Sequence, residues 1–429
     1  MIGVGIIGLG TVGRGTYQIL QEHNSLIRER TGVDIRVTRV ADVDEARLAG
    51  IQADGVAGSG EAKDVIHASD VDLVVELVGG IEPAFSYVRE AIEQKKWVVT
   101  ANKALLAERG NELFGAAAAH GCEIGFEASV CGGIPVIRAI REGLVGNRIT
   151  YLLGILNGTS NYILTSMTEE GIPFRRALDA AQELGYAEKD PTLDVEGIDA
   201  AHKLCILVRV ALHYPIRMEE IAARGISNIE PIDIDFAREF GYRIKLLGIA
   251  REEKGLIEAR VEPAMIPVAH PMSSVNGVFN AVYVAGDRVG PNLYYGRGAG
   301  ADPTGSAVVS DIVDMAVRKQ TGCLKPGMTF ERDSRRIRKG EETVTPFYMR
   351  FMAQDRPGVL SRISGILSDY NISISAVVQK GRTEYDLVPI VMLTYEASEE
   401  NLRKAKAEID ALAFTGAESV HIRIEENKL

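Results

Sequence analysis

The residues best suited to acid–base chemistry lie close together near the middle of the chain. The stretch GYAEKDPTLDVEGIDAAHKLCILVRV places five acids and a lysine within sixteen positions, namely Glu188, Asp190, Asp194, Glu196, Asp199 and Lys203. Asp199 and Lys203 are four residues apart in a predicted helix, so their side chains share one face. The apolar run LCILV follows Lys203. It predicts a partly buried lysine that serves as a proton donor or acceptor.

A structural interpretation of the same pair is also open. An exposed ion pair at this spacing stabilises a helix by only about a few tenths of a kcal/mol and needs no further function. Burial would lower the pKa of Lys203, whereas the adjacent Asp199 carboxylate would raise it. The sequence therefore leaves the direction of the pKa shift in Lys203 undecided.

A second lysine, Lys103, follows a predicted buried strand in the segment VVTANKALLAE. Ligands of open α/β sheets bind at the carboxyl ends of the parallel strands. The Lys103 ammonium group is therefore predicted to face a cofactor cleft. The alternative is a surface lysine near the start of a helix.

A glycine turn near the N terminus predicts a dinucleotide site. The segment IIGLGTVG places Gly8, Gly10 and Gly13 in the spacing G-x-G-x-x-G, directly after a strand and at the start of a helix. The first glycine permits the tight turn, the second lets the backbone approach the pyrophosphate, and the third allows close helix–strand packing. The helix N terminus, with Thr11 and Val12, faces the phosphates.

The choice between NAD and NADP depends on Asp42 and two arginines. An acid at the end of the second strand hydrogen-bonds the adenosine ribose and disfavours a 2′-phosphate, which favours NAD. Asp42 lies further along the chain than the usual distance of about 20 residues, and its alternative role is to cap a turn. Arg39 and Arg47 are close enough in sequence to leave NADP open.

Short apolar runs alternate with amphipathic stretches around these residues in the first half of the chain. The alternation predicts an α/β fold with a Rossmann-type doubly wound parallel sheet. The predicted strands are Val4–Ile7, Ile35–Ala41, Leu73–Leu77, Trp97–Thr100 and Ile124–Phe126. The predicted helices include Thr11–Glu29 and Ala84–Gln94.

The middle of the chain predicts a separate α+β domain for catalysis and oligomerisation. Its predicted strands are 148–156, 257–268 and 280–286, and its predicted helices are Arg175–Leu184, Asp199–Leu212 and Asp235–Ile249. After the turn GRGAG, a helix over 303–320 is predicted. We expect residues 296–320 to complete the first domain, which covers 1–130, and the middle domain to cover 131–295.

The C-terminal part predicts a ferredoxin-like βαββαβ domain over 346–429. Its predicted strands are Phe347–Met352, Ser373–Val378, Asp386–Leu393 and Ser419–Ile424, with helices Gly358–Ser368 and Glu399–Ala411 between them. A linker at 321–345 precedes it, with the basic centre RDSRRIRKG. We interpret this linker as solvated, because a nucleic-acid site needs a larger basic surface with interleaved aromatic residues.

Composition narrows the class of protein. The 429 residues are 46% hydrophobic and 25% charged, with a net charge of −11; these values are ordinary for a soluble globular protein and unfavourable for a nucleic-acid binder. The four cysteines lack metal-ligand and CxxC spacing, so reduced thiols are expected. The N terminus lacks a basic signal-peptide region, and no apolar run approaches the roughly 20 residues of a membrane span. We therefore expect a cytoplasmic protein.

The order of its motifs gives the chain, up to about Gln320, a resemblance to the homoserine dehydrogenase family. The motifs are VVTANK, EASVCGGIP, GILNGTSNYIL and GYAEKDPTLDVEGIDAAHK. The last is the most specific, because glycines, Pro191, three acids and a lysine must fall in register. The resemblance implies an NAD- or NADP-dependent dehydrogenase that interconverts L-aspartate 4-semialdehyde and L-homoserine in threonine, methionine and isoleucine biosynthesis.

The resemblance also implies roles for individual residues. Lys203 and Lys103 would surround the reacting carbonyl, with Lys203 as the proton donor and Asp199 orienting it. The implied substrate-binding residues, which grip the ammonium group or line the pocket, are Glu188, Asp194, Asp199, Gly158 and Thr159. Gly79, Lys103 and Gly300 would contact the cofactor.

A structural sodium ion is a further implication of the resemblance. Its ligands would be Glu127 and the backbone carbonyls of Val130, Gly132 and Ile134. Cys131 stands where the family commonly has a small residue, but its side chain leaves those carbonyls available.

The segment MAQDRPGVLSRISGILSDYNISI resembles the ACT domain, a small-molecule sensor fold, and the resemblance covers Phe347 to the end. It implies an amino-acid effector, with threonine as a feedback inhibitor, bound near Gly358 and Asn371. Such modules act in pairs, so a dimer or tetramer is implied. Two alternatives stay open: a module that serves assembly alone, and a whole protein that senses dinucleotide and amino acid without catalysis.

Overall fold

The computed structural model describes residues 1–323, 327–380 and 387–426. The first part of the chain alternates strands and helices as predicted. Its elements are β1 (Ile2–Ile7), α1 (Thr11–Glu22), α2 (Asn24–Thr31), β2 (Ile35–Ala41), α3 (Glu45–Gln52), β3 (Ala57–Ser59), α4 (Ala62–Ile66), β4 (Leu73–Glu76), α5 (Ala84–Glu93), β5 (Trp97–Thr100), α6 (Lys103–His120) and β6 (Ile124–Gly125).

These strands form a parallel sheet in the order β3-β2-β1-β4-β5-β6. This is the strand order of the dinucleotide-binding doubly wound fold, so the predicted fold class is confirmed. The predicted helix Thr11–Glu29 is wrong in its continuity, because His23 leaves the helical conformation between α1 and α2. The two helices share no apolar stripe: α1 buries one face, whereas α2 has no fully buried residue.

The middle part combines helices with long antiparallel strands. Its elements are α7 (Val136–Arg138), β7 (Ile149–Ile155), α8 (Gly158–Glu170), α9 (Phe174–Glu183), α10 (Thr192–Val195), α11 (Ile198–Leu212), β8 (Ala222–Ala223), α12 (Pro231–Glu239), β9 (Tyr242–Glu253), β10 (Leu256–Pro267), β11 (Phe279–Gly286), β12 (Gly290–Arg297) and α13 (Ala301–Thr321). Helix α13 packs against α1 of the first sheet. Residues after the middle domain therefore return to the dinucleotide-binding part, although the exact domain boundaries stay a prediction.

The predicted helix Asp235–Ile249 is wrong. Helix α12 ends at Glu239, Gly241 turns the chain with a φ of +82°, and β9 begins at Tyr242. Strand β9 lies between β7 and β10, so its residues 244–250 are buried on both faces. Burial on both faces removes the two-residue alternation of a strand, and such a run, here broken only by Lys245, cannot be told from a buried helix by pattern alone.

The C-terminal part has the predicted ferredoxin-like topology. Its elements are β13 (Arg336–Ile337), β14 (Val344–Thr345), β15 (Phe347–Gln354), α14 (Val359–Asp369), β16 (Ile374–Gln379), β17 (Leu387–Thr394), β18 (Ala397–Ser398), α15 (Glu399–Asp410) and β19 (Val420–Ile424). Four antiparallel strands follow the order β19-β15-β17-β16. Asp386, the first residue of one predicted strand, lies outside the described residues.

The two β-sheets of the middle and C-terminal parts are continuous. Strand β19 pairs in parallel with β10, through Ala264 with Arg423 and Met265 with Ile424. In the part of the chain that the structure describes, the joined sheet runs β12-β11-β7-β9-β10-β19-β15-β17-β16. The C-terminal module is therefore joined to the middle part through hydrogen-bonded strands as well as through the linker.

The basic centre of the linker is largely exposed, and one of its arginines packs against the middle domain. The Arg335 side chain is 18% exposed, and it pairs with Glu252 at 2.8 Å and with Asp333 at 2.8 Å. It also donates to the carbonyl oxygen of Leu212 at 2.8 Å, at the end of α11. The sequence did not predict this anchor, because Glu252 and Leu212 lie on elements that are distant along the chain.

Membrane-spanning structure was tested on the described residues. Within 1–323, 327–380 and 387–426, no helix has both the length and the apolar character needed to cross a bilayer.

Candidate active site

The glycine turn lies where strands β1, β2 and β4 end, and its geometry fits a dinucleotide. Gly8 has a φ of +96°, and a Cβ at this position would lie 2.7 Å from the Leu77 carbonyl oxygen. A Cβ at Gly13 would collide with the Gly8 carbonyl oxygen, whereas Gly10 has no such neighbour within 4 Å. Helix α1 then starts with Thr11 and Val12. The open side at Gly10 leaves room for a ligand at the helix N terminus.

Asp42 and Arg47 line the adjoining cleft of about 230 Å³. The Asp42 carboxylate accepts hydrogen bonds from the backbone N–H groups of Leu9 at 2.6 Å and Asp44 at 2.9 Å. The Arg47 guanidinium lies 3.6 Å from the same carboxylate. Asp42 thus fixes the glycine turn, which is the capping role that the sequence left open. Arg39 is paired with Asp70 at 2.7 Å.

Gly79 belongs to a turn that two buried polar residues fasten to the start of α6. Gly79 has a φ of +85°. Glu76 accepts hydrogen bonds from Val78 N–H at 2.8 Å and from the Thr100 hydroxyl at 2.7 Å. Asn102 caps α6, and its side-chain amide donates to the Gly80 carbonyl oxygen at 2.6 Å. These contacts set the position of Lys103, the next residue in the chain.

Two lysines from different parts of the fold share one buried carboxylate. The Lys103 Nζ lies 2.5 Å from Asp199 Oδ1, and the Lys203 Nζ lies 2.7 Å from Asp199 Oδ2. Lys203 also donates to the Leu156 carbonyl oxygen at 2.7 Å. The Lys103 side chain is 44% exposed and that of Lys203 is 10% exposed. Asp199 therefore joins a lysine of the dinucleotide-binding part to a lysine of the catalytic helix α11.

The charges of this cluster stabilise one another. Burial opposes ionisation of Asp199, but the ammonium groups of Lys203 and Lys103 outweigh it and hold the pKa of Asp199 below its usual value. Burial likewise opposes the charged form of Lys203, yet Asp199 raises the pKa of Lys203 above its usual value. This settles the direction that the sequence left undecided: Lys203 is held protonated.

Asn157 is a member of the cluster that sequence reasoning missed. Its side-chain amide donates to Asp194 Oδ1 at 2.6 Å and to Asp199 Oδ2 at 2.8 Å. The side-chain oxygen Oδ1 of Asn157 caps α8 by accepting from Ser160 N–H at 2.8 Å. Burial raises the pKa of Asp194, and the bond from Asn157 opposes the shift. An asparagine before a helix in GILNGTSNYIL was the available signal.

The other predicted substrate residues are Gly158 and Thr159, at the start of α8, and the exposed Glu188. Gly158 begins α8, and a Cβ there would lie 2.7 Å from the Val278 carbonyl oxygen. The Thr159 hydroxyl donates to the Tyr186 carbonyl oxygen at 2.6 Å. Glu188 is exposed, and among the described residues no ion pair joins its carboxylate to the two lysines.

Cys131 and the turn before α13 complete the surroundings of the lysines. Burial raises the pKa of the Cys131 thiol to about 11, against the opposing charge of Lys203. Asn280 lies beside both features: its amide nitrogen is 3.7 Å from the Cys131 sulfur, and a Cβ at Gly298 would collide with its side chain. Gly300, with a φ of +119°, immediately precedes α13.

Glu127, one of the predicted sodium ligands, forms a buried pair of acids with Asp311. The Glu127 carboxylate accepts from the N–H groups of Ile137 at 2.8 Å and Arg138 at 2.7 Å, while Asp311 accepts from Glu127 N–H at 2.8 Å. Burial and the neighbouring Asp311 raise the pKa of Glu127 to about 7. Within the described residues, no group of three or more His, Cys, Asp and Glu side chains is arranged to hold a metal ion. Any cation here would depend on backbone carbonyls, including those of Val130, Gly132 and Ile134.

The two predicted effector residues lie beyond opposite ends of α14. Gly358 precedes the helix with a φ of +93°, and Asn371 follows it with a φ of +56°. They are thirteen positions apart, and a helical rise of about 1.5 Å per residue separates them by roughly 20 Å. One small ligand cannot touch both residues of the same module.

Comparison with known proteins covers almost the whole chain. Residues 8–127 match the family model described as homoserine dehydrogenase, NAD binding domain, residues 135–313 match that of homoserine dehydrogenase, and residues 347–414 match the ACT domain. A homoserine dehydrogenase of Pseudomonas aeruginosa is 45% identical over 99% of this chain and 98% of its own length. One of Bacillus subtilis is 38% identical over 99% of both chains.

Solved structures show the same similarity. A homoserine dehydrogenase from Thiobacillus denitrificans has a TM-score of 0.93 and 46% identity, covering 99% of this chain and 98% of that one. A hyperthermophilic archaeal homoserine dehydrogenase in complex with NADPH has a TM-score of 0.62 and 27% identity, covering 76% of this chain and 99% of that one.

Proposed function

Because this chain belongs to the homoserine dehydrogenase family, we propose that it interconverts L-homoserine and L-aspartate 4-semialdehyde with NAD or NADP. The observation that carries the proposal is the Asp199 carboxylate that holds Lys103 at 2.5 Å and Lys203 at 2.7 Å. It gives the site two positive charges and a proton source next to a dinucleotide fold. Such a site suits the reduction of a carbonyl group to an alcohol.

Lys203 acts as the proton donor in the reducing direction. Its ammonium group has three hydrogens; Asp199 and the Leu156 carbonyl oxygen accept two of them. The third is free to pass to the oxygen of the substrate as that oxygen becomes an alkoxide. The bound dinucleotide supplies the hydride, and Lys103 adds a second positive charge near the developing negative oxygen. In the oxidising direction Lys203 accepts the hydroxyl proton.

The acids around Asn157 recognise the amino group of the substrate. Asp194 is half-buried and oriented by Asn157, so its second oxygen is available to a ligand ammonium group. Gly158 and Thr159 line the same end of α8, and the exposed Glu188 closes on the substrate from outside. In this assignment Asp199 orients the lysines rather than binding the substrate directly.

The cofactor site accepts either dinucleotide by its chemistry, and Arg47 supports NADP. Each Asp42 oxygen accepts one backbone N–H group and keeps a lone pair for a ribose hydroxyl, so NAD also fits. The Arg47 side chain is 45% exposed in the cleft, and it offers a positive partner to a 2′-phosphate. Gly8, Gly10, Gly13, Gly79 and Gly300 form the backbone turns around the dinucleotide.

A structural sodium ion fits beside Glu127. Asp311 and Glu127 place two acids in a buried region, and both have a raised pKa, which a cation would relieve. The carbonyls of Val130, Gly132 and Ile134 would hold the ion with Glu127. Its role would be to fix the loop that carries Cys131, next to the lysines, and no chemical step depends on it.

The proposed activity is tested by following reduced nicotinamide at 340 nm. Purified protein is mixed with homoserine and either NAD or NADP, with serine and threonine as control alcohols. We expect reduction with homoserine alone and a higher kcat/KM with one of the two dinucleotides. No signal with either dinucleotide would contradict catalysis and leave a dinucleotide-binding sensor as the function.

The C-terminal module is proposed to bind an amino-acid effector between two copies of the chain. The separation of roughly 20 Å between Gly358 and Asn371 excludes a ligand held by both residues of one module. Gly358 of one copy and Asn371 of another would satisfy a ligand carboxylate and ammonium. The proposal therefore includes a dimer or larger assembly.

An enzyme with these ligands would serve threonine, methionine and isoleucine biosynthesis in the cytoplasm, a reducing compartment that suits its four free thiols.

Titration with threonine tests this regulatory role. We expect threonine to lower the initial rate of homoserine oxidation, with Asn371→Ala shifting the inhibition to at least tenfold higher threonine because a ligand hydrogen bond is lost. Methionine and isoleucine serve as comparison ligands. An unchanged rate at all threonine concentrations would contradict feedback through this module.

A further inference from the structure

Lys245 is a buried lysine that the proposed mechanism does not use. It lies on β9 and is 3% exposed. Its ammonium group donates to the Val275 carbonyl oxygen at 2.6 Å, to the Asn276 side-chain oxygen at 3.0 Å and to the Asn161 side-chain oxygen at 3.2 Å. All three acceptors are neutral. A buried charge without a carboxylate contact is costly, so its presence calls for a specific role.

The same three acceptors connect α8 to the segment at residues 275–280. Asn161 lies on α8, and its side-chain amide donates to the carbonyl oxygens of Val275 at 3.1 Å, Gly277 at 3.0 Å and Phe279 at 3.1 Å. Thr165, one turn further along, accepts from Gly277 N–H at 3.0 Å. Lys245 holds Asn161 at its oxygen and thereby orients the amide toward the segment.

The 275–280 segment forms part of the wall around the proposed substrate site. Its Val278 carbonyl oxygen lies against Gly158, where a Cβ would come within 2.7 Å. Its last residue, Asn280, contacts Cys131 and packs against Gly298. A shift of this segment would move the start of α8 and the turn before α13 together.

We infer that Lys245 is a positioning residue: its ammonium group fastens the 275–280 segment to α8 and so sets the shape of the substrate pocket at Gly158. The inference rests on the proposed function, because that function assigns Gly158 and Thr159 to the pocket. Lys245 acts through Asn161 and Val275 and touches no reacting group. Strand β9 pairs with β7, and the chain passes from β7 through Asn157 into α8, so Lys245 belongs to the part of the fold that carries the proposed substrate pocket.

Burial and Arg243 support this interpretation. Both lower the pKa of Lys245, to about 8, and Glu169, which accepts from the Asn276 amide at 3.3 Å, opposes the shift. The segment itself contributes no ionisable side chain. The bonds to neutral acceptors therefore compensate the buried charge, and removing the charge should free the segment.

The test compares Lys245→Met with the native enzyme by kinetics and by hydrogen exchange. We expect the KM for homoserine to rise at least about tenfold, because charged donors make strong hydrogen bonds, while kcat changes less than threefold and the KM for the dinucleotide stays unchanged. Amides of residues 275–280, including Gly277 N–H, should exchange at least tenfold faster. Lys254→Met is the matched control, because this lysine is exposed at the turn between β9 and β10.

Asn276→Ala provides a second variant in case Lys245→Met does not fold. Asn276 is exposed and supplies one of the three acceptors, so we expect a smaller rise in the homoserine KM of about threefold, with faster exchange in the same segment. Native KM and native exchange in either folded variant would overturn the inference, as would faster exchange without a change in KM. If the native enzyme does not oxidise homoserine, the proposed function fails. The exchange comparison would still decide whether Lys245 fastens the segment.

Discussion

Replacing Lys203 with methionine is expected to lower kcat for homoserine oxidation by about a thousandfold, with the dinucleotide Kd unchanged. A positioned acid–base group typically contributes a factor of about 10² to 10⁴ in rate. Lys203 donates hydrogen bonds to Asp199 and Leu156, neither of which belongs to the glycine turn. Its loss should therefore remove proton transfer without disturbing Gly8 or Gly10.

The fold should tolerate this replacement. Breaking a buried ion pair is costly when it leaves a charge without a partner. Here Asp199 keeps Lys103 at 2.5 Å and the amide of Asn157 at 2.8 Å. Methionine also matches the length and apolar stem of lysine. Thermal unfolding should therefore change little, and its midpoint is the first control.

Lys103→Met separates the two lysines. Lys103 lies at the end of β5 and is more exposed, so we expect this variant to lower kcat and also to weaken dinucleotide binding. The measurements are stopped-flow turnover and fluorescence titration with the reduced dinucleotide. Retained turnover in Lys203→Met would remove Lys203 from the donor role and assign that role to Lys103.

Local sequence patterns predicted those features of the site that depend on neighbours in the chain. The G-x-G-x-x-G spacing located the turn at Gly8, because the geometry of a strand–turn–helix unit is set within a few residues. The four-residue spacing of Asp199 and Lys203 placed both on one helix face for the same reason. The ferredoxin-like module was predicted from alternating strands and helices with clear boundaries.

Contacts between distant segments were beyond prediction. Nothing in VVTANK indicates that Lys103 meets Asp199, which lies 96 positions away. Asn157 joined the cluster because β7, which ends just before it, packs against α11. The Asp42 carboxylate accepts from the backbone of Leu9, which is 33 positions away. Strand β9 was assigned to a helix because burial on both faces removes the two-residue period on which strand prediction depends.

The C-terminal module is fastened to the middle part of the chain by a second buried carboxylate, Asp233 of α12. It is fully buried and accepts from Arg350 at 2.7 and 3.1 Å and from the Tyr348 hydroxyl at 2.9 Å, both on β15. Lys380, after β16, also contacts Glu239 at the other end of α12. Helix α12 in turn packs against α8, which begins at Gly158. A displacement of the module therefore reaches the proposed substrate pocket through one short helix.

Asp233→Ala is expected to destabilise the protein by about 3 kcal/mol, because the buried charge of Arg350 would keep only the exposed Glu230, at 3.2 Å, as a partner. The measurement is urea unfolding followed by far-UV circular dichroism and by hydrogen exchange of the β15 and β17 amides, because the single tryptophan, Trp97, lies on β5 of the other sheet. The loss should appear as an earlier transition of the C-terminal module, since multidomain chains need not unfold in one step. Asp235→Ala on the exposed side of α12 is the matched control, with an expected change within about 0.5 kcal/mol.

The double variant Asp233→Leu with Arg350→Met decides whether the stability lost in Asp233→Ala comes from the unpaired charge or from lost packing. Replacing both partners of a buried pair with apolar residues is often neutral, so we expect the double variant to recover most of the stability that Asp233→Ala loses. It should not recover inhibition by threonine to the native degree, because the directional link between β15 and α12 is gone. Equal stability of Asp233→Ala and native protein would show that the pair is not a fastening point, and the route from the module to α8 would then have to run through the β10–β19 pairing.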